Sequence, residues 1–511
     1  MEQASSLVRI IAFTPEPERL SASAAGISTT KGTALEIYGN NQDLEKAQKL
    51  IKNVLRLGHT TTIEHACFTL AFENVSAFVE QFVIEFRLAS FTVKSRRYVD
   101  FSQMGYYQPV FRFAEAAGES VRQKIHNLYN THIKKLFSEY EYFEANGIPR
   151  EDARFLLPYC YRSNFYCTVN ARELHHIIFA ALWGRGSKYP ELQQIGQSLW
   201  GQARQIAPAI FETILPEGRD DKEQRIREVL RQTVDGFGNL ALNKRDDLAA
   251  GEASEAAALA GNPTAADLAP GSLYWAEPYC ELLYSPQNPE KIVTAAALIK
   301  YGLFESTAAQ KAVEEHDELR QKILAIICED NRKRELEQVS FTFRINNITL
   351  AGLTHLVRHR MQSVNVPSFT EFGLSKGFVL PASIRENPSL LARYRAILEE
   401  HHKVFNKFRE ARVLAEDLVY FYLSGNLVDV VTTMNGRELF HFLRLRTCTR
   451  AQWEIRAIAR EMLGQLRAIS PALFRRFGPS CYVMGKCPEG KLSCGRQAEM
   501  LALFGGEGGT N

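Results

Sequence analysis

One pattern occurs twice in this chain, and the duplication constrains the fold more than any other feature. The stretch Arg358-His359-Arg360-Met361-Gln362-Ser363-Val364-Asn365-Val366-Pro367-Ser368-Phe369-Thr370 has an earlier counterpart. Arg87, Ser90, Ser95 and Arg97 align with Arg360, Ser363, Ser368 and Thr370 at a constant offset of 273 residues. A second block, Thr168-Val169-Asn170-Ala171-Arg172-Glu173-Leu174-His175-His176, parallels Thr433-Met434-Asn435-Gly436-Arg437-Glu438-Leu439-Phe440-His441 at an offset of 265. The drift between offsets is what loop insertions produce. Two blocks in the same order imply a tandem repeat of one domain of roughly two hundred residues. The boundaries expected are 1–235 for copy one, 236–272 for a linker, 273–478 for copy two and 479–511 for a cysteine-containing tail.

Local patterning fills in each copy. Asp43 to Leu57 carries apolar residues at helical spacing and stops at Gly58, while Cys67 to Phe72 alternates as a strand does. Ala77 to Phe86 reads as a helix delivering the Arg87 segment. Strand signals concentrate before the motif in both copies, and long helical segments follow it, Glu119 to Asn146 and Leu391 to Leu423. That is an α+β domain. Gly436 to Leu463 reads as one long amphipathic helix with Leu439, Phe442, Leu443, Trp453 and Ile458 on its apolar face. Asp247 to Gly271, rich in Ala, Gly and Glu, lacks the apolar surface to order itself and is expected to be a flexible linker with some helix.

Composition excludes some classes. A net charge of +3 offers no field for a nucleic-acid polymer, and no run of eighteen apolar residues is present to span a membrane. Met1 to Phe13 lacks the basic and apolar regions of a secretory signal. The nine cysteines, several of them single in apolar segments, are expected to be reduced thiols of a cytoplasmic protein. Cys67, Cys160 and Cys167 read as core residues.

The chemistry concentrates in Arg358 to Thr370. Arginine offers a rigid fork that suits phosphate or the edge of a heterocycle, and Ser and Asn add short neutral hydrogen bonds. The ligand implied is anionic and flat. The bland alternative is a solvated helix end. His59-Thr60-Thr61-Thr62-Ile63-Glu64-His65, at a helix-to-strand junction, is read as turn chemistry or as a second ligand segment. Arg437 and Arg444 lie two turns apart on one helix face with Arg446 close by; solvation, or pairing with Glu438 and Glu454, would account for them equally well.

Together these motifs resemble the flavin-dependent thymidylate synthases. Arg358-His359-Arg360 with Ser363, Asn365 and Ser368 resembles that family's Arg-His-Arg-x-x-Ser-x-Asn-x-x-Ser-x-Arg signature, with Thr370 in place of the final arginine. His59-x-Thr61-x-x-Glu64-His65 resembles its flavin-touching segment. Asn435-x-Arg437-x-Leu439-x-x-Phe442-Leu443-x-Leu445-Arg446 followed by Ala451-Gln452-Trp453-Glu454-Ile455 closely resembles its second signature. The resemblance implies two copies of a central antiparallel sheet flanked by long helices, FAD as cofactor, and reductive methylation of dUMP to dTMP with methylenetetrahydrofolate and NADPH as co-substrates. In that chemistry the reduced flavin delivers hydride and no cysteine attacks the pyrimidine ring. Cofactor binding is then expected at Ser28, His59, Thr61, Arg358, His359, Arg360, Asn365, Asn435 and His441. Substrate binding is expected at His355, Arg358, Ser368, Ser95, Arg97, Arg154 and Arg446, with Arg446 and Arg358 catalytic. The family's homotetramers place active sites between subunits, which implies self-association of this chain to a dimer of two-copy chains, a pseudo-tetramer.

The copies differ in what they keep. Copy two retains Arg358, His359, Arg360 and Arg446 but has Thr370 and Val419 where phosphate-anchoring arginines are expected. Copy one has Glu85-Phe86-Arg87 and, near Arg446's place, Ala181, yet retains Ser95, Arg97, Arg154, His59, Thr61, Glu64 and His65. A carboxylate such as Glu85 would repel phosphate. The non-overlapping loss implies one composite site, with copy two gripping flavin and uracil and copy one the phosphate. In the tail, Cys481, Cys487 and Cys494 with Cys448 are candidates for a four-thiolate zinc site that would order a coreless segment, or for free or redox-active thiols. Two other functions remain open at this point: a diverged flavin-dependent methyl or hydroxymethyl transferase on another pyrimidine nucleotide, and a non-catalytic nucleotide-binding relic.

Overall fold

The computed structural model describes residues 5–212, 225, 226, 229, 275–303, 307–371 and 377–505, so the expected linker at 236–272 lies outside the described residues. Helix and sheet are mixed, with two four-stranded antiparallel sheets of the same topology. In the first, strands β1 (Leu7–Phe13), β2 (Cys67–Ser76), β3 (Ala89–Val93) and β4 (Arg162–Asn170) lie in the order β1-β2-β4-β3. In the second, β5 (Tyr279–Tyr284), β6 (Ser340–Thr349), β7 (Gln362–Asn365) and β8 (Leu427–Asn435) lie in the order β5-β6-β8-β7. Strands therefore also lie within and after each motif, because the sheet is closed only when the late strand inserts between the two earlier ones.

The repeat extends to irregularities. Both β2 and β6 carry a bulge, each with an Asn at positive φ, Asn74 at 53° and Asn347 at 57°. Asn tolerates that conformation better than most residues. The freed N–H of each finds the same kind of acceptor on the next strand, Asn164 at 2.8 Å and Asp429 at 3.0 Å. The helix following each bulge is capped alike. The Ser76 hydroxyl caps Ala77–Ile84 and the Thr349 hydroxyl caps Leu350–Leu356. Each cap is gripped by a buried glutamate: Glu191 takes the Ser76 N–H at 2.9 Å and hydroxyl at 2.5 Å, and Glu454 takes the Thr349 N–H at 2.5 Å and hydroxyl at 2.6 Å.

The described chain separates into two compact units that do not follow the repeat boundary. One holds the first repeat together with Pro381–Ser424 of the second; the other holds the described parts of 275–371, 377–380 and 425–505. Within the first unit the long helix Glu119–Ala145 packs against Pro388–Glu410. Tyr129, Ile133, Leu136, Tyr140 and Phe143 bury one helix, and Tyr394, Ile397, Leu398, Phe405 and Phe408 the other. An apolar face of this size needs a partner, and each helix serves as the other's. Beyond them the two repeats exchange equivalent bonds, Tyr159 N–H to Tyr422 O at 2.8 Å and Ser424 N–H to Leu157 O at 2.9 Å.

Two expected helices are shorter than their periodicity. Pro388–Glu410 ends before Arg412, whose φ is 59°, rather than running to Leu423. The helix expected over Gly436 to Leu463 is two helices, Gly436–Arg446 and Trp453–Ile469. The Gln452 side chain accepts the Ile455 N–H at 3.1 Å and starts the second one anew. Both halves present apolar faces to one core, so the hydrophobic pattern runs through a break that it does not register. Among the described residues, no helix is long and apolar enough to cross a membrane.

Candidate functional site

In the second unit, the buried helix Leu350–Leu356 ends just before Arg358-His359-Arg360. Arg358 and Arg360 are exposed, while His359 between them is buried, stacked edge-on to Phe442 at 4.9 Å and 5.6 Å from the His441 ring. Arg446, the last residue of Gly436–Arg446, donates through Nε to His359 Nε2 at 2.9 Å and through Nη2 to the His355 carbonyl at 3.3 Å. His355, His359 and Arg446, expected to share a site, are thus brought together. Burial foremost, then the Arg446 and His441 charges, pushes the His359 imidazole down to about 2, so it is neutral at physiological pH.

Other residues expected here have structural employment. Asn435 caps the helix carrying Arg446, accepting the Glu438 N–H at 2.9 Å. Asn365 ends β7, exposed, and the Ser368 and Thr370 hydroxyls lie 3.1 Å apart. A cavity of about 500 Å³ is lined by Lys333, Met361, Asn435, Arg437, Phe440, His441 and Arg444 among others. The glutamates do not pair with the helix arginines as pattern alone allows. Glu438 lies buried with Oε1 3.3 Å from His359 Nδ1, and Glu454 is consumed by the Thr349 cap. Arg437 instead meets Glu337 at 2.5 Å, as Arg172 meets Glu64 at 2.6 Å in the first unit. Glu438 is the group that motif reading passed over. Its sequence signal is Glu173, the same residue at the corresponding position of the other repeat.

In the first unit, Arg97 Nε reaches Glu151 Oε2 at 2.7 Å and Arg154 Nε donates to the Glu151 carbonyl at 3.1 Å. Ser95 Oγ accepts the Arg97 N–H at 3.3 Å, so the three residues expected to hold phosphate form one cluster. Ser28, His59 and Thr61 are exposed. Ser28 follows the helix Pro17–Gly26, which packs on the turn Thr60–His65. Glu85 pairs with Arg185, whose guanidinium also lies 4.7 Å from the Phe82 ring. Ala181, at Arg446's place, is buried, and a methyl added at Gly196 would stand 2.9 Å from its Cβ.

Among the described residues no three His, Cys, Asp or Glu are arranged to hold a metal ion, Cys448, Cys481, Cys487 and Cys494 included. The tail has its own core. Met500 and Phe504 are buried, Arg467 donates to the Phe477 and Phe504 carbonyls at 3.1 Å each, and Ser480 Oγ bonds the Arg444 carbonyl at 3.4 Å.

One known family matches the chain in both repeats. The family described as thymidylate synthase complementing protein matches residues 9–209 and again 281–472. The flavin-dependent thymidylate synthase of Clostridium tetani is 35% identical over 241 residues, covering 44% of this chain and 95% of that protein. That of Geobacter sulfurreducens is 34% identical over 236 residues, covering 44% and 96%. A crystal structure of a UMP/dUMP methylase, PolB from Streptomyces cacaoi, bound with 5-Br dUMP, aligns with 41% of this chain and 94% of its own at 20% identity and a TM-score of 0.35, a likeness too slight to carry argument. Matched twice along its length, the chain belongs to the thymidylate synthase complementing protein family and holds two tandem copies of its domain.

Proposed function

We propose that this protein is a flavin-dependent thymidylate synthase that methylates dUMP to dTMP, with FAD as cofactor and methylenetetrahydrofolate and NADPH as co-substrates. The observation that carries the reading is Arg446, held by a neutral His359 and the His355 carbonyl beside Arg358 and Arg360. An arginine cannot give up its proton at working pH, so it serves by charge and N–H donation where negative charge develops on a pyrimidine carbonyl. The lining of the nearby cavity suits an anionic cofactor with a flat ring, offering Lys333, Arg437 and Arg444 as cations against the carboxylates Glu337, which pairs with Arg437, and Glu438, with Asn435 and His441 as polar groups and Phe440 as an apolar wall. When bound, the reduced flavin supplies the electrons for the transfer.

The phosphate falls to repeat one in this reading, through Ser95, Arg97 and Arg154, because repeat two has Thr370 and Val419 at the corresponding positions. Self-association to a dimer of two-repeat chains belongs to the same proposal. So does a reducing, cytoplasmic setting, which the nine free cysteines favour. Complementation of a thymidine-requiring strain tests the activity. The division of labour is tested by dUMP affinity in Arg97→Ala and Arg358→Ala, with each change expected to weaken binding roughly tenfold or more, as loss of a charge-assisted hydrogen bond does. Unchanged affinity in Arg97→Ala would refute the assignment of phosphate to repeat one.

A further inference from the structure

His359 stands between a guanidinium and a carboxylate, and its proton has one place to be. Arg446 Nε can only donate, so His359 Nε2, 2.9 Å away, must present a lone pair. A neutral imidazole then carries its hydrogen on Nδ1. That nitrogen faces Glu438 Oε1 at 3.3 Å; both atoms are buried and neither has a hydrogen-bond partner elsewhere among the described residues. Burial raises the Glu438 carboxyl while His441, Arg360 and Arg437 pull it back toward ionisation. An acceptor at this point favours the tautomer that Arg446 requires.

Repeat one serves as an internal control. Its positions corresponding to His359 and Arg446 are Phe86 and Ala181, and there Glu173 turns elsewhere, taking the Leu88 N–H at 3.1 Å and lying 3.1 Å from His176 Nδ1. The carboxylate faces an imidazole at the arginine motif only in the repeat that kept the arginine.

We propose that Glu438 is a positioning residue for Arg446, acting by holding His359 as the Nδ1–H tautomer so that Nε2 fixes the guanidinium. This rests on the reading of Arg446 as the pyrimidine-facing arginine, and it applies to the full chain.

The test is long-range proton–nitrogen correlation on full-length protein labelled with 15N-histidine, with the His359 signals identified by their loss in His359→Gln. Wild type is expected to show His359 protonated at Nδ1 and bare at Nε2. Glu438→Leu, which removes the acceptor, is expected to shift it toward Nε2–H and to lower dUMP turnover roughly tenfold or more, the size of effect seen when a histidine loses its orienting partner. Glu438→Gln, which keeps an acceptor oxygen, should restore both. In an Arg446→Ala background, Glu438→Leu should cost nothing further. An Nε2–H tautomer in wild type overturns the proposal even if Glu438→Leu does not fold, and so does an effect of Glu438→Leu that persists undiminished without Arg446. Absence of dUMP methylation in the wild type would instead sink the enzymatic reading and leave the tautomer result standing.

Discussion

The helices Ala171–Leu182 and Gly436–Arg446 start alike and end differently. Both begin after an asparagine cap, both place a glutamate three residues later, and both follow the last strand of a four-stranded sheet. At the far end one has Ala181 buried against the next helix, and the other has Arg446 held by His359. Bulge, cap and buried glutamate recur in both repeats, where they satisfy the backbone groups at the passage from strand to helix. The residue at the far helix end takes no part in that arrangement, and it differs.

The largest expected effect breaks the comparison at this point. Arg446→Ala, which makes repeat two like repeat one, is expected to lower dUMP turnover by about 10²- to 10³-fold while thermal unfolding barely moves, as loss of a preorganised donor does. The reverse change, Ala181→Arg, should add no activity to that of repeat two and destabilise the fold by about 1–3 kcal/mol, since the site beside Gly196 has no room. Restored activity in a variant that combines both changes would show the positions to be interchangeable and end the argument.

Next come the glutamates that the repeats share. Glu191→Ala and Glu454→Ala each leave a buried N–H and hydroxyl unpaired, at a cost of about 1–3 kcal/mol in denaturant unfolding. Glu191 also accepts from Ser6 Oγ at 2.7 Å, so Ser6→Ala should lower stability by less than Glu191→Ala does. A Ser6→Ala variant as unstable as Glu191→Ala would place the whole effect on Ser6 and none on the cap.

The smallest effect concerns the helix pair of the first unit, where His132 Nε2 and His401 Nδ1 lie 2.9 Å apart, both rings buried. Burial, the leading cause, pushes His132 down to about 4, and His401 falls further. Lys135 and His402 act in the same direction, while Glu400 opposes for His132. A base with a depressed folded value is neutral in the fold and protonated when unfolded. Stability is therefore full above about 6.5 and is lost as pH falls from there toward 4, by roughly 2 kcal/mol at pH 5 from His132 alone. Melting temperature against pH should show this slope in wild type and a shallower one in His132→Gln.

Much of this was legible in residues close together in the chain. The motif blocks revealed the repeat, the 3.6-residue pattern revealed the long helices, and Thr370 and Val419 stood out against Arg97 and Arg154 at the corresponding positions. The structure places Arg97 and Arg154 around Glu151, and Arg446 on His359. What escaped it were features without local periodicity: the break before Trp453, hidden because both helices share a core, and the tail's own apolar contacts through the buried Met500 and Phe504.

Sequence by itself determined the duplication, several of the helices, and the positions at which the repeats differ, because these follow from neighbours a few positions apart. Only the tertiary structure decided that Pro388–Glu410 packs with the first repeat's long helix, that Glu454 is spent on a cap, and that Glu438 faces His359. Those pairings join residues far apart in the chain, and burial, which no local pattern specifies, selects them.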